Sequence, residues 1–424
     1  MKKYSVVLCF LLIATAVLGK DFNIKDFNAV GDGTTLDTKA IQDAINAASE
    51  DGGGRVVIPE GVYLTKPIKI LSNVELHLQK GAVLLATTNL VDFPHVPMKH
   101  IANTDGLPRK RSSALIYADE AKNISFTGEG TIDCNGAAFV KMKTDRNWTG
   151  WQYERKVKLN ESLPRVVFLA GCSNVTVRGV VLRNPPAGWS WWIHDCDKVL
   201  IEDSKVFADV RYPNNDGFHI NSCRDVIIRN CHVETGDDSI IVRANNSSLA
   251  ENKVCENVVV SNCTLRSWSA AVRIGWSQDG VMRNCLFKDL KIVDSSVGIS
   301  MIVPIVGNGN ADYGREATRF ENIVFEDIEM ESIYGRPFLA HIHPDANNLK
   351  FDGFYNVCLR NVRANCAVGP LLRGRKENPI KGVRFENCQW NIFENKFDSY
   401  RRHGAASWDR RQNEENIFYI EDGK

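Results

Sequence analysis

From residue 73 onward the chain is written in short strings of alternating apolar and polar residues, each opened by a turn residue. The strings starting at Asn73 (NVELHL), Asn123 (NISFTG), Asn174 (NVTVRGVVL), Lys198 (KVLIEDSKV), Asp225 (DVIIRNCHV), Asn257 (NVVVSNCTL), Gly280 (GVMRNCLF), Asn322 (NIVFEDIEM), Asn356 (NVCLRNV) and Gly382 (GVRFENCQW) share one form. Apolar residues alternate with period two, a polar kink follows, and a second short strand closes the unit. Starts from 174 to 280 are 24, 27, 32 and 23 residues apart, the length of one solenoid coil with variable loops. One such coil cannot bury its inward side chains alone, whereas stacked coils turn every strand into a rung of a parallel sheet around a shared core. Dipeptides that make tight hairpins are sparse, which argues against a sandwich or barrel. The pattern predicts an all-β fold, a single-stranded right-handed parallel β-helix of about ten coils.

The open N-terminal end of such a stack needs a lid. Residues 37–49 supply a helix, with Asp37 as its cap, Ile41, Ala44, Ile45 and Ala48 on one face, and Gly52-Gly53-Gly54 to stop it. Ahead of that lid, Lys2 and Lys3 precede an apolar run from Val6 to Leu18 with Gly19 at its edge, the form of a secretory signal peptide over residues 1–19. The expectation is an exported chain, periplasmic or extracellular, with no membrane span. Residues 20–424 form one β-helix domain, with an N-terminal cap over 20–60 and an irregular charged tail over 394–424.

Composition removes several alternatives. Apolar residues at 44% and charged residues at 24% exclude disorder. With 52 basic against 51 acidic residues there is no positive field of the kind nucleic acid requires, so nucleic acid is not an expected partner. Twelve cysteines in an exported chain suggest disulfides, but Cys9 leaves with the leader and eleven is odd. Asn-Cys recurs at 230–231, 262–263, 284–285, 365–366 and 387–388 after apolar alternation, which places these thiols as stacked core residues. No CxxC pair exists, and neither a structural metal nor a cofactor is implied.

A stacked solenoid presents flat ladders of outward side chains, a surface suited to an extended polysaccharide. Three carboxylates stand out on it: Asp216 in PNNDGFH, and Asp237 with Asp238 in GDDS, 21 and 22 residues later. Asp-Gly alone reads as a turn and Asp-Asp alone as a cap. At one-coil spacing they meet on one face, where like charges raise one another's pKa. That division suits a glycosidase, which needs one protonated acid for the leaving oxygen and one ionised base for water.

In order along the chain, AVGDGTTLDTKAIQDAI, GGGRVVIPEGVYLTKPI, FTGEGTIDCNG and LPRVVFLAGCSNVTVRGVVLRNPPAGWSWWIH resemble glycoside hydrolase family 28, the polygalacturonase and rhamnogalacturonan hydrolase family of pectin hydrolases. The resemblance covers nearly the whole length. That family's Asn-Thr-Asp motif matches Asn214-Asn215-Asp216, with Asn in the middle, and its Asp-Asp motif matches Asp237-Asp238. The resemblance implies Asp237 as general acid, Asp216 and Asp238 as the groups that activate water, inversion at the anomeric carbon, and a pectic polysaccharide partner bound by a monomer.

Two of the family's motifs are missing. Gly-His-Gly is replaced by Ser269-Ala270-Ala271, and Arg-Ile-Lys falls at Ile299-Ser300-Met301-Ile302. Without that basic pair the expected substrate is rhamnogalacturonan rather than homogalacturonan. Candidate substrate contacts are Asn214, His219, Arg243, Arg273, Trp192, His194 and His343, with Trp189, Trp191 and Trp192 as a possible aromatic platform. Galacturonidase action on homogalacturonan oligosaccharides, a β-helix polysaccharide lyase and a non-catalytic glycan-binding solenoid remain as alternatives.

Overall fold

A computed structural model describes residues 19–96, 98–101, 113–143, 152–156, 165–276, 279–303, 316–342, 351–375, 378–393 and 419–421. Almost all of the leader segment, His343 and nearly all of the 394–424 tail lie outside the described residues.

Alternating apolar strings become parallel strands. One sheet of eleven runs through Ile68–Lys69, Ala114–Asp119, Arg165–Ala170, Trp191–His194, Phe218–Asn221, Ile240–Arg243, Ala270–Ile274, Val297–Val303, Phe338–Ile342, Leu371–Arg373 and Tyr419–Glu421, with every pairing parallel. A twenty-strand sheet makes the remaining wall, folded along a bend. The inward residues of both, from Phe22 to Ile380, merge into one core. This is the parallel β-helix that the periodicity predicts.

The turn residues that open each string are there for their backbone. Asn73, Asn123, Asn174, Lys198, Asp225, Asn257, Asn284, Asn322 and Asn356 all have φ between 50° and 62°. Asn tolerates that left-handed conformation better than other residues with a Cβ. Stacking adds a second reason, because Asn123 Nδ2 donates to Asn73 Oδ1 at 2.8 Å, Asn174 to Asn123 at 2.9 Å and Asn356 to Asn322 at 2.9 Å. The unit placed at Gly280 opens instead at Asn284, since register pairs Glu256 with Arg283 and Val258 with Cys285. A second column of left-handed residues, Asp203, Asn230, Asn262, Asp289, Asp327, Asn361 and Asn387, makes the bend. The Asn-Cys pairs are therefore not equivalent: Asn284 lies in the first column, while Asn230, Asn262 and Asn387 lie in the second.

The lid is the helix Thr38–Glu50, which buries Ala40, Ile41, Ala44, Ile45 and Ala48. Asp37 does not cap it. Its carboxylate instead accepts from the backbone N–H of Val30 at 2.5 Å and Gly31 at 3.0 Å, pinning the preceding loop. No helix among the described residues is long and apolar enough to cross a membrane.

All eleven cysteines of the described residues are free, ten buried and Cys388 partly so. Cys172, Cys196, Cys223 and Cys255 form one column, set by the register of the residues that follow them. The Cys172 N–H points at Cys196 Sγ at 3.3 Å, and the Cys196 N–H at Cys223 Sγ at 3.4 Å. Burial pushes the Cys134, Cys196 and Cys255 thiols well above their ordinary pKa, so they resist thiolate chemistry. The expected result with a thiol-reactive chromogenic disulfide is slow labelling of the ten buried thiols in the native protein and fast labelling of the same thiols after denaturation. Rapid native labelling of several thiols would contradict this burial.

Candidate active site

The loops that enter the strands Phe218–Asn221 and Ile240–Arg243 bring three acids together. Asp216, Asp237 and Asp238 place carboxylate oxygens within 4.8 Å of one another. They are 5%, 7% and 5% exposed, dry yet not sealed from solvent. Two glycines permit this approach. A Cβ on Gly217 would lie 2.3 Å from the Ser239 carbonyl oxygen, and one on Gly236 would lie 2.2 Å from that of Tyr212. Asp216-Gly217 is thus a close-packing device as well as a loop.

The pair Asp237-Asp238 is held by the coil before it. Asn215, fully buried, accepts from the N–H of Gly236 at 2.7 Å and of Asp237 at 3.1 Å, and donates to the Asp209 carbonyl at 2.7 Å. Asn214 donates to Asp237 Oδ2 from its backbone at 3.2 Å and its side chain at 3.1 Å. Arg155, from a two-strand antiparallel ribbon, donates to Asn214 Oδ1. Asp238 accepts from the Ala270 N–H at 3.1 Å and from both Nε and Nη2 of Arg273, the Nη2 bond being 3.0 Å.

Burial and neighbouring charge raise two of the acids. Burial, then the Asp238 charge, pushes Asp237 up to about 7, against the opposing pull of Arg273. Burial and the charges of Asp237 and Asp238 hold Asp216 well above the usual carboxylate range, again opposed by Arg273. The two titrate as a unit: ionising one keeps the proton on the other. Burial, followed by Arg243, Arg165, His194 and Arg273, holds His219 well below the ordinary histidine value, so its ring is neutral at neutral pH.

Several buried polar atoms here have no protein partner: Asp216 Oδ1, His219 Nδ1, Arg273 Nη1 and Ser300 Oγ. His219 and Asp216 are 3.8 Å apart, and register aligns His219, Ile241, Arg273 and Ser300 in consecutive outward positions. Buried polar groups are normally satisfied, so these atoms are the hydrogen-bonding capacity that the protein itself leaves open to water or a bound sugar.

The other candidates are placed differently. His194 is 1% exposed and gives one ring nitrogen to Asn221 and the other to Ser248 at 3.1 Å, which leaves neither for a sugar. Arg243 is forked onto buried Asp279 at 3.0 and 2.7 Å. Each finds an internal partner that strand alternation does not disclose. Trp191 faces the core, and Trp192, 3% exposed, stacks on Phe168 at 4.0 Å. Asn215 and Ser300 stand in the sequence inside motif positions, with no role of their own assigned there; Arg155 carries no signal in the sequence.

Comparisons with known proteins bear on the family and the fold. The sequence model described as Glycosyl hydrolases family 28 matches residues 72–338. The chain is 28% identical over 400 residues to a probable polygalacturonase of Vitis vinifera, covering 91% of this chain and 75% of that one. It is 25% identical to the exo-poly-alpha-D-galacturonosidase of Dickeya chrysanthemi, covering 84% and 64%. The family 28 exopolygalacturonase of Yersinia enterocolitica superposes with TM-score 0.67 at 19% identity, over 89% of this chain and 79% of that one.

Proposed function

The chain belongs to glycosyl hydrolases family 28, and from that premise we propose that it hydrolyses a pectic polysaccharide with inversion, Asp237 donating the proton to the leaving oxygen. It is a glycoside hydrolase, and the polygalacturonase names of its relatives point to pectin. The observation that carries the assignment is Asp237, the carboxyl held to about 7 with an oxygen within 4.8 Å of two further carboxylates. In this scheme the glycosidic oxygen takes the Asp237 proton as its bond to the anomeric carbon breaks. Water adds to that carbon and yields its proton to a carboxylate. With the shared proton of the pair on Asp237, Asp216 is ionised and has the free oxygen for the proton of water, whereas Asp238 is engaged by Arg273 and positions the water beside it.

We further propose rhamnogalacturonan as the preferred chain. In the coil after Arg273 the outward positions are Ser300 and Ile302, which offer no charge for a uronate. Arg243 and Arg273 are both engaged by acids of this chain. A neutral deoxysugar beyond the scissile bond suits that surface. Side-by-side digestion of rhamnogalacturonan and polygalacturonate is expected to favour the former; faster release from polygalacturonate overturns the substrate assignment. Chelator is expected to leave the rate unchanged, since Arg273 already supplies the cation against Asp238; a chelator-sensitive rate with ultraviolet-absorbing products would indicate a lyase instead.

One observation favours a second stereochemical reading. Carboxylate oxygens within 4.8 Å are nearer the roughly 5 Å spacing of retaining pairs than the roughly 6.5–9.5 Å of inverting ones. Three acids loosen that rule, because two of them can hold water jointly while the third faces the leaving oxygen. Proton NMR of the first-released reducing end decides: the inverted anomer supports the proposal and the retained anomer overturns it.

A further inference from the structure

The outward face of the strands that precede the acids is built of rings. Phe168, Trp192 and His219 occupy consecutive rungs of the outward face. Trp192 lies flat on Phe168, with ring centroids 4.0 Å apart and planes 9° from parallel. Trp189 meets Trp192 edge-on at 5.2 Å and leans over the His219 ring at 4.1 Å. The Arg165 guanidinium sits 4.3 Å from the Trp189 ring centre and 4.5 Å from that of Trp192. Of these side chains Trp189 alone is only partly buried, while Arg165, Phe168, Trp192 and His219 are buried beneath or beside it.

We infer that Trp189 and His219 form a sugar-binding subsite next to Asp216, in which Trp189 takes the C–H face of a pyranose ring and His219 Nδ1 hydrogen-bonds one of its hydroxyls. This rests on the glycoside hydrolase reading above and adds the residues that position the sugar. Three observations converge on it. Trp189 is fixed from three sides by Trp192, Arg165 and His219, so its exposed surface is rigid before any ligand arrives, which lowers the entropy lost on binding. His219 Nδ1 is buried without a partner, a costly state that a ligand hydroxyl relieves. The same nitrogen lies 3.8 Å from Asp216 Oδ2, so a sugar held there abuts the carboxylate with the free oxygen. The ring beside Asp216 is uncharged at neutral pH, which lets it serve a hydroxyl as donor or acceptor without neutralising the base.

The alternative, that Trp189 only packs the groove wall, predicts a loss of stability without a change in substrate affinity. Trp189→Ala and Trp189→Phe in the full chain separate the two. The alanine form is expected to raise KM on pectic chains roughly tenfold or more, with kcat changed by less than about threefold, and the phenylalanine form to recover most of the loss. Titration calorimetry in an Asp237→Asn background is expected to show the same roughly tenfold weakening for uncleaved oligosaccharide. If the alanine form fails to fold, Trp189→Leu, which keeps bulk but loses the ring face, carries the same expectation. A natively folded Trp189→Ala enzyme with unchanged KM and unchanged affinity overturns the subsite alone. A wild-type protein that turns over no pectic chain overturns the hydrolase reading and the subsite with it.

Discussion

Asp237→Asn is expected to lower kcat by roughly 10²–10⁴-fold, the contribution of a positioned general acid, while the β-helix remains intact. Asn keeps the shape and the contacts from Asn214 but carries no transferable proton. Two pH consequences follow from a carboxyl held at about 7. Activity of the wild type should decline on the alkaline side as pH passes about 7, because the acid form is then lost. Stability runs with the same sign. A pKa raised in the folded state means the fold binds the proton more tightly than the unfolded chain, so its stabilisation is full below the unfolded value of 3.8 and is lost as pH rises through about 7. The Asn variant lacks that penalty. Its thermal midpoint is therefore expected to exceed that of the wild type at pH 8, with the gap closing toward pH 4. An active Asp237→Asn enzyme removes Asp237 from the acid role.

Arg273→Met is expected to cost both turnover and fold. This guanidinium, 4% exposed, meets Asp238 through two nitrogens, and its charge also acts on Asp216 and Asp237. Removing one partner of a buried pair typically costs about 3–5 kcal/mol, because the other charge is left in a dry site. The acids respond in a defined direction. Arg273 lowers the pKa of both Asp216 and Asp237, so its loss raises both and moves the alkaline limb of the residual activity upward. Arg273→Lys should recover charge but not the forked geometry, and so recover only part of the stability. Denaturant unfolding and a pH–rate profile of the three proteins check this. A Met variant with wild-type midpoint and profile would show that Asp238 finds its compensation elsewhere.

The convergence of the acids was legible because it depends on one quantity, the residue count per coil. Asp216 and the Asp237-Asp238 pair differ by 21 and 22 residues, and a stack converts that interval into proximity. The identity of each turn was legible for a similar reason: Asn recurs where a left-handed backbone and an amide ladder are needed together. What sequence could not disclose was which long side chain reaches across rungs. Arg243 and Arg273 look alike on alternate outward positions, yet one turns to Asp279 and the other back to Asp238. His194 and His219 likewise differ by whether the ring nitrogens meet Asn221 and Ser248 or Nδ1 is left without a hydrogen-bond partner. The misplaced opening at Gly280 has the opposite origin, since GVMRNCLF offers two plausible turns and only register with the preceding coil selects Asn284.

The acids enter ahead of the fifth and sixth of the eleven strands in their sheet. A stack of this kind comes apart from its ends, because each coil leans only on its neighbours and a terminal coil lacks one of them. Transient fraying therefore dissipates in the outer coils before it reaches the middle. Amide hydrogens around Asp216 and Asp238 should exchange with deuterium only in openings close to global unfolding, so the chemistry sits in the segment that heat or denaturant disturbs last.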